Sequence, residues 1–177
     1  MPKSDEGLVA NVVATQDSAS FELLVNRHHA RVRNWLRQLS RNPALADDLA
    51  QEVFVIAWKR ISSFKRTGTF SGWLMKIAYN TYLQAQRRQR REREINEQLL
   101  REYDPVYPDD SDRLTDVMRV LSVLTQQERV VMILCYAHGY SHAEISEIAG
   151  MPLGTVKSHI RRGRSKILDR FKPETTK

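Results

Sequence analysis

The chain holds one cysteine, Cys135, among 177 residues, which excludes an internal disulfide framework and suits a reducing compartment. Glycine and proline are scarce, at 7 and 6, and fall between periodic segments, so an all-α fold is expected. No apolar run approaches the ~20 residues that a spanning helix needs, which argues against membrane insertion. The opening MPKSDEGLVANVV lacks the apolar core of a signal peptide, and a cytoplasmic location is expected. Neither G-x-x-x-x-G-K-[ST] nor G-x-G-x-x-G occurs, so no phosphate-cradling loop is indicated. No nucleophile, base and orienter stand out together, and an enzyme is not expected. Cys135, His138 and His142 have C-x₂-H-x₃-H spacing, but Gly139 and a helix cap intervene and no fourth ligand is near. Neither a metal site nor a cofactor is expected. What the chain has in excess is positive charge, +7 with a pI near 9.8, which favours an anionic partner.

Part of that charge lies in YSHAEISEIAGMPLGTVKSHIRRGRSKIL, from Tyr140 to Leu168, whose second half is loaded with cations. Ser141 stands three residues before Glu144, the S-x-x-E capping box that opens a helix. Ile145 and Ile148 give that helix an apolar face, Gly150 can end it in the left-handed conformation, and Pro152 bars its continuation. A second helix then carries Val156, Ile160, Gly163, Ile167 and Phe171 as its buried stripe. Thr155, Lys157, Ser158, Arg161, Arg162 and Arg164 lie on its other faces. A capped helix, a glycine turn and a helix with one dry and one cationic side make the pattern of a DNA-binding helix-turn-helix. An amphipathic helix with a merely solvated basic face is the plainer alternative.

Upstream, Leu8, Val9, Val12 and Val13 can form a short apolar face. Asp17, Ser18 or Ser20 can cap a helix in which Phe21, Leu24, His28, Val32, Trp35 and Leu39 point inward, until Asn42-Pro43 breaks it. The next helix, from Ala44 to about Arg60, buries Leu45, Leu49, Val53, Ala57 and Ile61. Asp47, Asp48, Gln51 and Glu52 cluster on its opposite side, either as a docking face or as carboxylates favoured near a helix N-terminus. Ile61 to Gly72 is a loop by composition, carrying Phe64, Lys65, Arg66 and Phe70. Aromatics beside cations suit unstacked bases, yet loop phenylalanines also commonly plug onto a core. A helix from Trp73 to about Glu94 follows, with Lys76, Tyr79, Asn80 and Tyr82 away from its inward stripe, ending in Arg87, Arg88, Arg90, Arg91 and Arg93.

Composition then inverts. From Ile95 to Asp116 there are seven acidic residues against two arginines, with Pro105 and Pro108 among them. The expectation is two small helical domains, residues 1–94 and 113–177, joined by a flexible acidic linker at 95–112. The second domain is expected to have four helices: one from Leu114, one launched by the capping box of Thr125 and Glu128, and the helix-turn-helix pair.

The strings FELLVNRHHARV, LADDLAQEVFVIAWKRISSF and FSGWLMKIAYNTYLQAQRRQRR, followed by LTQQERVVMILCYAHGYSHAEISEIAGMPLGTVKSHIRRGRSKI, resemble the bacterial RNA polymerase sigma factors of the extracytoplasmic-function class. DDLAQEVF and GTVKSHIRRGRSKI are the most specific pieces, and the likeness spans nearly the whole chain. The resemblance implies a factor that binds core RNA polymerase and directs promoter-specific initiation. Asp47, Asp48, Gln51 and Glu52 would dock on the clamp of the largest catalytic subunit, and the flap of the second subunit would be a further contact. The loop from Ser63 to Phe70, with Phe64, Lys65, Arg66 and Phe70, would capture a flipped base of the −10 element. Lys76, Tyr79 and Asn80, with the arginine run, would hold adjacent backbone. Lys157, Ser158, Arg161 and Arg162 would face the −35 element, with Thr155 on phosphate.

Within that likeness Ser146 stands where alanine is usual, His159 where arginine is frequent, and Arg161 where an aromatic or histidine is frequent. Gly72 before the tryptophan is unusual and would loosen the hinge between capture loop and helix. No third domain is expected, so regulation falls to a separate anti-sigma factor. The reading that competes with this one is a stand-alone helix-turn-helix repressor or activator, which would bind paired half-sites as a dimer.

Overall fold

The computed structural model describes residues 4–65, 68–99 and 120–171, with backbone alone at 96–99; among them no strand occurs. Arg66, most of the linker at 95–112, residues 114–119 of the helix expected from Leu114, and Lys172 lie outside the described residues. The chain divides into two compact units, Met1–Ala85 and Gln86–Lys177.

The first unit is built by capped helices. Helix α1 (Asp5–Thr15) starts at Ser4, whose hydroxyl accepts from Gly7 N–H at 3.2 Å. Of its apolar residues Leu8, Val9 and Val12 are buried, whereas Val13 is 46% exposed. Asp17 caps α2 (Ser18–Ser40) by accepting from the amides of Ala19 and Ser20 at 3.2 and 3.1 Å. A cap of this kind contributes ~0.5–2 kcal/mol. Leu24, Val32, Trp35, Leu36 and Leu39 form its buried stripe, against which α1 and α3 (Pro43–Arg60) pack. Asn42 caps α3 and Pro43 occupies its first turn, where a missing amide costs nothing.

The expected loop after α3 is shorter in fact. Ile61–Ser63 forms a 3₁₀ turn against α1, and α4 (Phe70–Leu99) begins three residues before the tryptophan. Thr69 explains the early start: its hydroxyl accepts from Gly72 N–H at 3.0 Å and its carbonyl from Trp73 N–H at 3.1 Å. Gly72 is therefore a first-turn residue rather than a hinge, and a Cβ there would press Thr69 Oγ1 at 3.2 Å. Further along α4, Tyr82 donates its phenol hydrogen to the Leu39 carbonyl at 3.1 Å, tying α4 to the end of α2.

In the second unit residues 120–122 close a helical turn before α5 (Gln126–Met132), where Thr125 and Glu128 form a complete capping box. The chain widens to a π-helical segment, Ile133–Ala137, and stops at Gly139 with φ 72°. Helix α6 (His142–Ala149) and helix α7 (Leu153–Arg170) follow, joined through Gly150 at φ 64°. Helix α7 packs on both α5 and α6. Its buried line is Val156, His159 and Gly163, not the expected aliphatic stripe: Ile160 and Ile167 are half-buried and Phe171 is 45% exposed. Gly163 sets that rotation. A Cβ on it would lie 3.0 Å from Met132 Cγ, so a hydrogen here lets α7 close onto α5.

Candidate nucleic-acid interface

The turn between α6 and α7 is locked from several sides. Ser141 Oγ accepts from Glu144 N–H at 3.3 Å while Glu144 Oε2 accepts from Ser141 N–H at 2.9 Å. Gly150 N–H returns to the Ser146 carbonyl, and the Ser146 hydroxyl donates to the Met151 carbonyl. A serine at this position thus adds a bond across the turn without crowding it. Helix α7 then starts from Pro152, whose carbonyl accepts from Thr155 and Val156 N–H.

With 3.6 residues per turn, burial of Val156, His159 and Gly163 turns Arg161 away from the packing face and sets Lys157 to one side of it. Both are exposed. Thr155, Ser158 and Arg162 lie on the flank beside His159, the first two half-buried and Arg162 exposed. The five residues therefore share one outer arc of α7. Arg162 is not loose on it. Its Nη2 donates to His159 Nδ1 at 3.2 Å, and its Nε lies 3.9 Å from Glu128 Oε1. A guanidinium only donates, so His159 accepts at Nδ1 as a neutral ring with its proton on Nε2. Burial, then the charge of Arg162, lowers the His159 pKa, with Glu128 opposing.

Glu128 is the centre of this corner. Its residue is 3% exposed, and Oε2 accepts from Lys166 Nζ at 2.7 Å and from Thr125 N–H at 2.9 Å. Burial alone would raise its carboxyl pKa; the hydrogen bonds from Lys166 and Thr125 outweigh that and hold it below the ordinary range. An open cleft of about 530 Å³ runs past it, lined by Thr125, Gln126, Gln127, Glu128, His159 and Arg162. Sequence reasoning found Glu128 as a cap and missed its second role. The partner lies 38 residues away, and no local pattern marks such a pair.

In the first unit the acidic cluster on α3 is divided. Arg33 grips Asp47 with two bonds of 2.6 Å, and Arg37 approaches it at 3.5 Å. The Arg33 hydrogen bonds hold the Asp47 carboxyl below the ordinary range. Asp47 thus spends its charge within the unit, while Asp48, Gln51 and Glu52 stand exposed. Two of the residues given to the −10 element by resemblance, Phe70 to a flipped base and Tyr79 to adjacent backbone, are corrected in the same way. Phe70 is 1% exposed, packed on His28, Phe64 and Trp73 at ring distances of 5.4, 5.8 and 5.6 Å. It plugs the loop onto the core, because a ring that opens α4 faces inward beside Leu74. Tyr79 is 5% exposed, lies 6.1 Å from the Trp35 ring, and has its phenol pKa raised by burial. Phe64 is half-buried at the edge of the aromatic cluster, and Lys65, Lys76 and Asn80 are exposed. Arg87, Arg88, Arg90, Arg91 and Arg93 are exposed along α4, Arg90 bound to Glu94 at 2.8 Å. Cys135 is half-buried with its thiol pKa raised by burial. Among the described residues no three His, Cys, Asp or Glu converge as a metal site would need.

Comparison with known proteins adds independent findings. The sigma-70 region 2 family matches residues 24–92, and the sigma-70 region 4 family matches residues 114–167. The chain is 36% identical over 168 residues to the ECF RNA polymerase sigma factor SigE of Mycolicibacterium smegmatis, covering 88% of this chain and 64% of that protein. It is 32% identical over 189 residues to the ECF RNA polymerase sigma-E factor of Haemophilus influenzae, covering 96% of each. Its fold resembles that of the sigma factor RpoE of Bartonella quintana, solved with the anti-sigma factor NepR. The TM-score is 0.73 at 26% identity, covering 87% of this chain and 98% of that one.

Proposed function

The chain belongs to the extracytoplasmic-function class of RNA polymerase sigma factors, and we propose from this that it joins core RNA polymerase and directs initiation at promoters with two separated elements, one for each unit. The observation that carries the proposal is the outer arc of α7, where Lys157, Arg161 and Arg162 stand over a capped and locked turn. Set in the major groove, that arc reads the −35 element: Arg161 and Arg162 toward guanine edges, Lys157 and Ser158 beside them, Thr155 on phosphate. A bidentate arginine–guanine pair contributes ~1–3 kcal/mol of discrimination. Residues 1–94 form the domain for the −10 element and residues 113–177 that for the −35 element, with 95–112 between them.

At the −10 element the nucleic-acid surface is Lys65, Lys76 and Asn80 with the exposed edge of Phe64; Arg66 belongs to the same loop. Asp48, Gln51 and Glu52 supply the face for the clamp of the largest catalytic subunit, and the second unit meets the flap of the second subunit. The protein works in the cytoplasm without chemistry of its own, restrained by an anti-sigma partner, as the complex of the Bartonella quintana relative illustrates.

Reconstitution with core enzyme tests this. The holoenzyme should start transcripts at discrete sites on a library of genomic fragments, and Asp48→Lys with Glu52→Lys should abolish core binding while Asp47→Asn leaves most of it. Failure to support specific initiation on any fragment, combined with tight palindromic binding by the protein alone, would establish a repressor or activator instead.

A further inference from the structure

Helix α1 lies outside the stretch matched to region 2, yet it packs on the 3₁₀ turn that leads into the segment the proposed function assigns to base capture. Both ends of that segment are held. The 3₁₀ turn Ile61–Ser63 packs on α1, and across the loop Arg31 of α2 donates to Ser71 Oγ at 3.3 Å. Asp5, in the first turn of α1, ties that helix to α2. Its Oδ1 accepts from Arg27 Nη1 at 3.0 Å, and its Oδ2 contacts His28 Nε2 at 2.7 Å.

The second of these contacts has a directional effect. His28 has two ring nitrogens at fixed angles, so a bond at Nε2 sets the plane of the imidazole. That plane stands edge-on to Phe70, at 62° and 5.4 Å. Phe70 in turn bears Phe64 at 84° and 5.8 Å, and both rings meet Trp73. Edge-to-face contacts are specific in angle, so turning the first ring disturbs the seat of each that follows. Both side chains are largely shielded from water, with exposures of 12% for His28 and 24% for Asp5.

We infer that Asp5 and His28 are positioning residues for promoter opening: the α1 carboxylate orients the His28 ring, the ring seats Phe70, and Phe70 carries Phe64, which receives the unstacked base. This rests on the reading of residues 63–70 as the capture loop. Neither residue touches DNA. They act by placing Phe64 and Lys65, and misplacement of an acting group on the order of 1 Å can cost up to ~100-fold in rate.

The test uses the full chain in reconstituted holoenzyme, reading core affinity, open-complex formation on a duplex promoter, and initiation on the same promoter with its −10 bases already unpaired. Asp5→Ala and His28→Ala should each slow duplex opening about tenfold, with core affinity and the pre-opened template within about twofold of the unsubstituted protein. Asp5→Asn keeps an acceptor for His28 Nε2 and should recover most of the loss. The double variant Asp5→Ala/His28→Ala should be no slower than either single one, because both act through one ring. Wild-type opening by both single variants, or an equal loss on the pre-opened template, overturns the inference. Phe64→Ala and Lys65→Ala separate the layers. If they too open duplex normally, the capture-loop reading fails and takes the inference with it; if they slow opening while Asp5 and His28 variants do not, the inference alone fails.

Discussion

Replacing Glu128 with alanine removes a charge at the junction of α5 and α7, and its cost can be worked out from the contacts. The carboxylate side chain is 4% exposed, but the two cations beside it are open to water, Lys166 at 42% and Arg162 at 53%. A charge-assisted hydrogen bond contributes ~1.5–3 kcal/mol, and the exposure of Lys166 argues for the lower end or below. Loss of the reciprocal half of the capping box adds about 0.5–1 kcal/mol. The sum is ~2 kcal/mol, which for a unit of this size lowers its melting temperature by roughly 8–16 °C. Glu128→Gln keeps the cap and loses the charge, and should cost about half as much. The three tryptophans, 35, 58 and 73, all belong to the first unit, so their fluorescence follows that unit alone while far-UV circular dichroism follows both. Glu128→Ala should split the two signals, moving the dichroism transition and sparing the fluorescence one. A change in the dichroism transition worth less than about 0.5 kcal/mol, the range of neutral surface substitutions, would refute the assignment of Glu128 as the electrostatic centre of this corner.

The same corner sets a pH dependence with a definite sign, checked by dichroism melts from pH 8 to 4. His159 is held neutral, so below about pH 6.5 the unfolded chain takes up a proton that the folded one resists, and stability falls with acid. Glu128 continues the fall lower down: its folded pKa lies below its unfolded one, so its contribution is whole above the ordinary carboxylate range and lost as pH drops through the folded value. Gly163→Leu should destabilise the second unit by ~1–3 kcal/mol through overpacking against Met132 and Leu124, and Gly163→Ala by less, as gained helix propensity offsets part of the squeeze; denaturant melts followed by dichroism measure both. Phe70→Ala should cost ~3–5 kcal/mol as a cavity in the first unit, and Phe64→Ala distinctly less, measured by the fluorescence transition; equal costs would contradict the division between plug and edge.

What the sequence determined by itself was local. Capping boxes at Thr125 and Ser141, the aspartate cap of α2, the glycine stops at 139 and 150, and the cationic arc of α7 all follow from residues a few positions apart, which a linear reading can count. Those same local strings carry the family likeness, and so the class of function. The tertiary structure decided which side chains remain available for that function. Asp47 meets Arg33 fourteen residues upstream, Glu128 meets Lys166 thirty-eight residues downstream, and Asp5 reaches His28 twenty-three residues on. Phe70 and Tyr79 face the core rather than solvent because packing brings a second helix over them, with His28 and Trp35 of α2 against their rings. The rotation of α7, which buries His159 where Ile160 was expected, depends on how close α5 can approach Gly163. Each of these is a pairing between surfaces brought together only by packing, and spacing along the chain carries no trace of it.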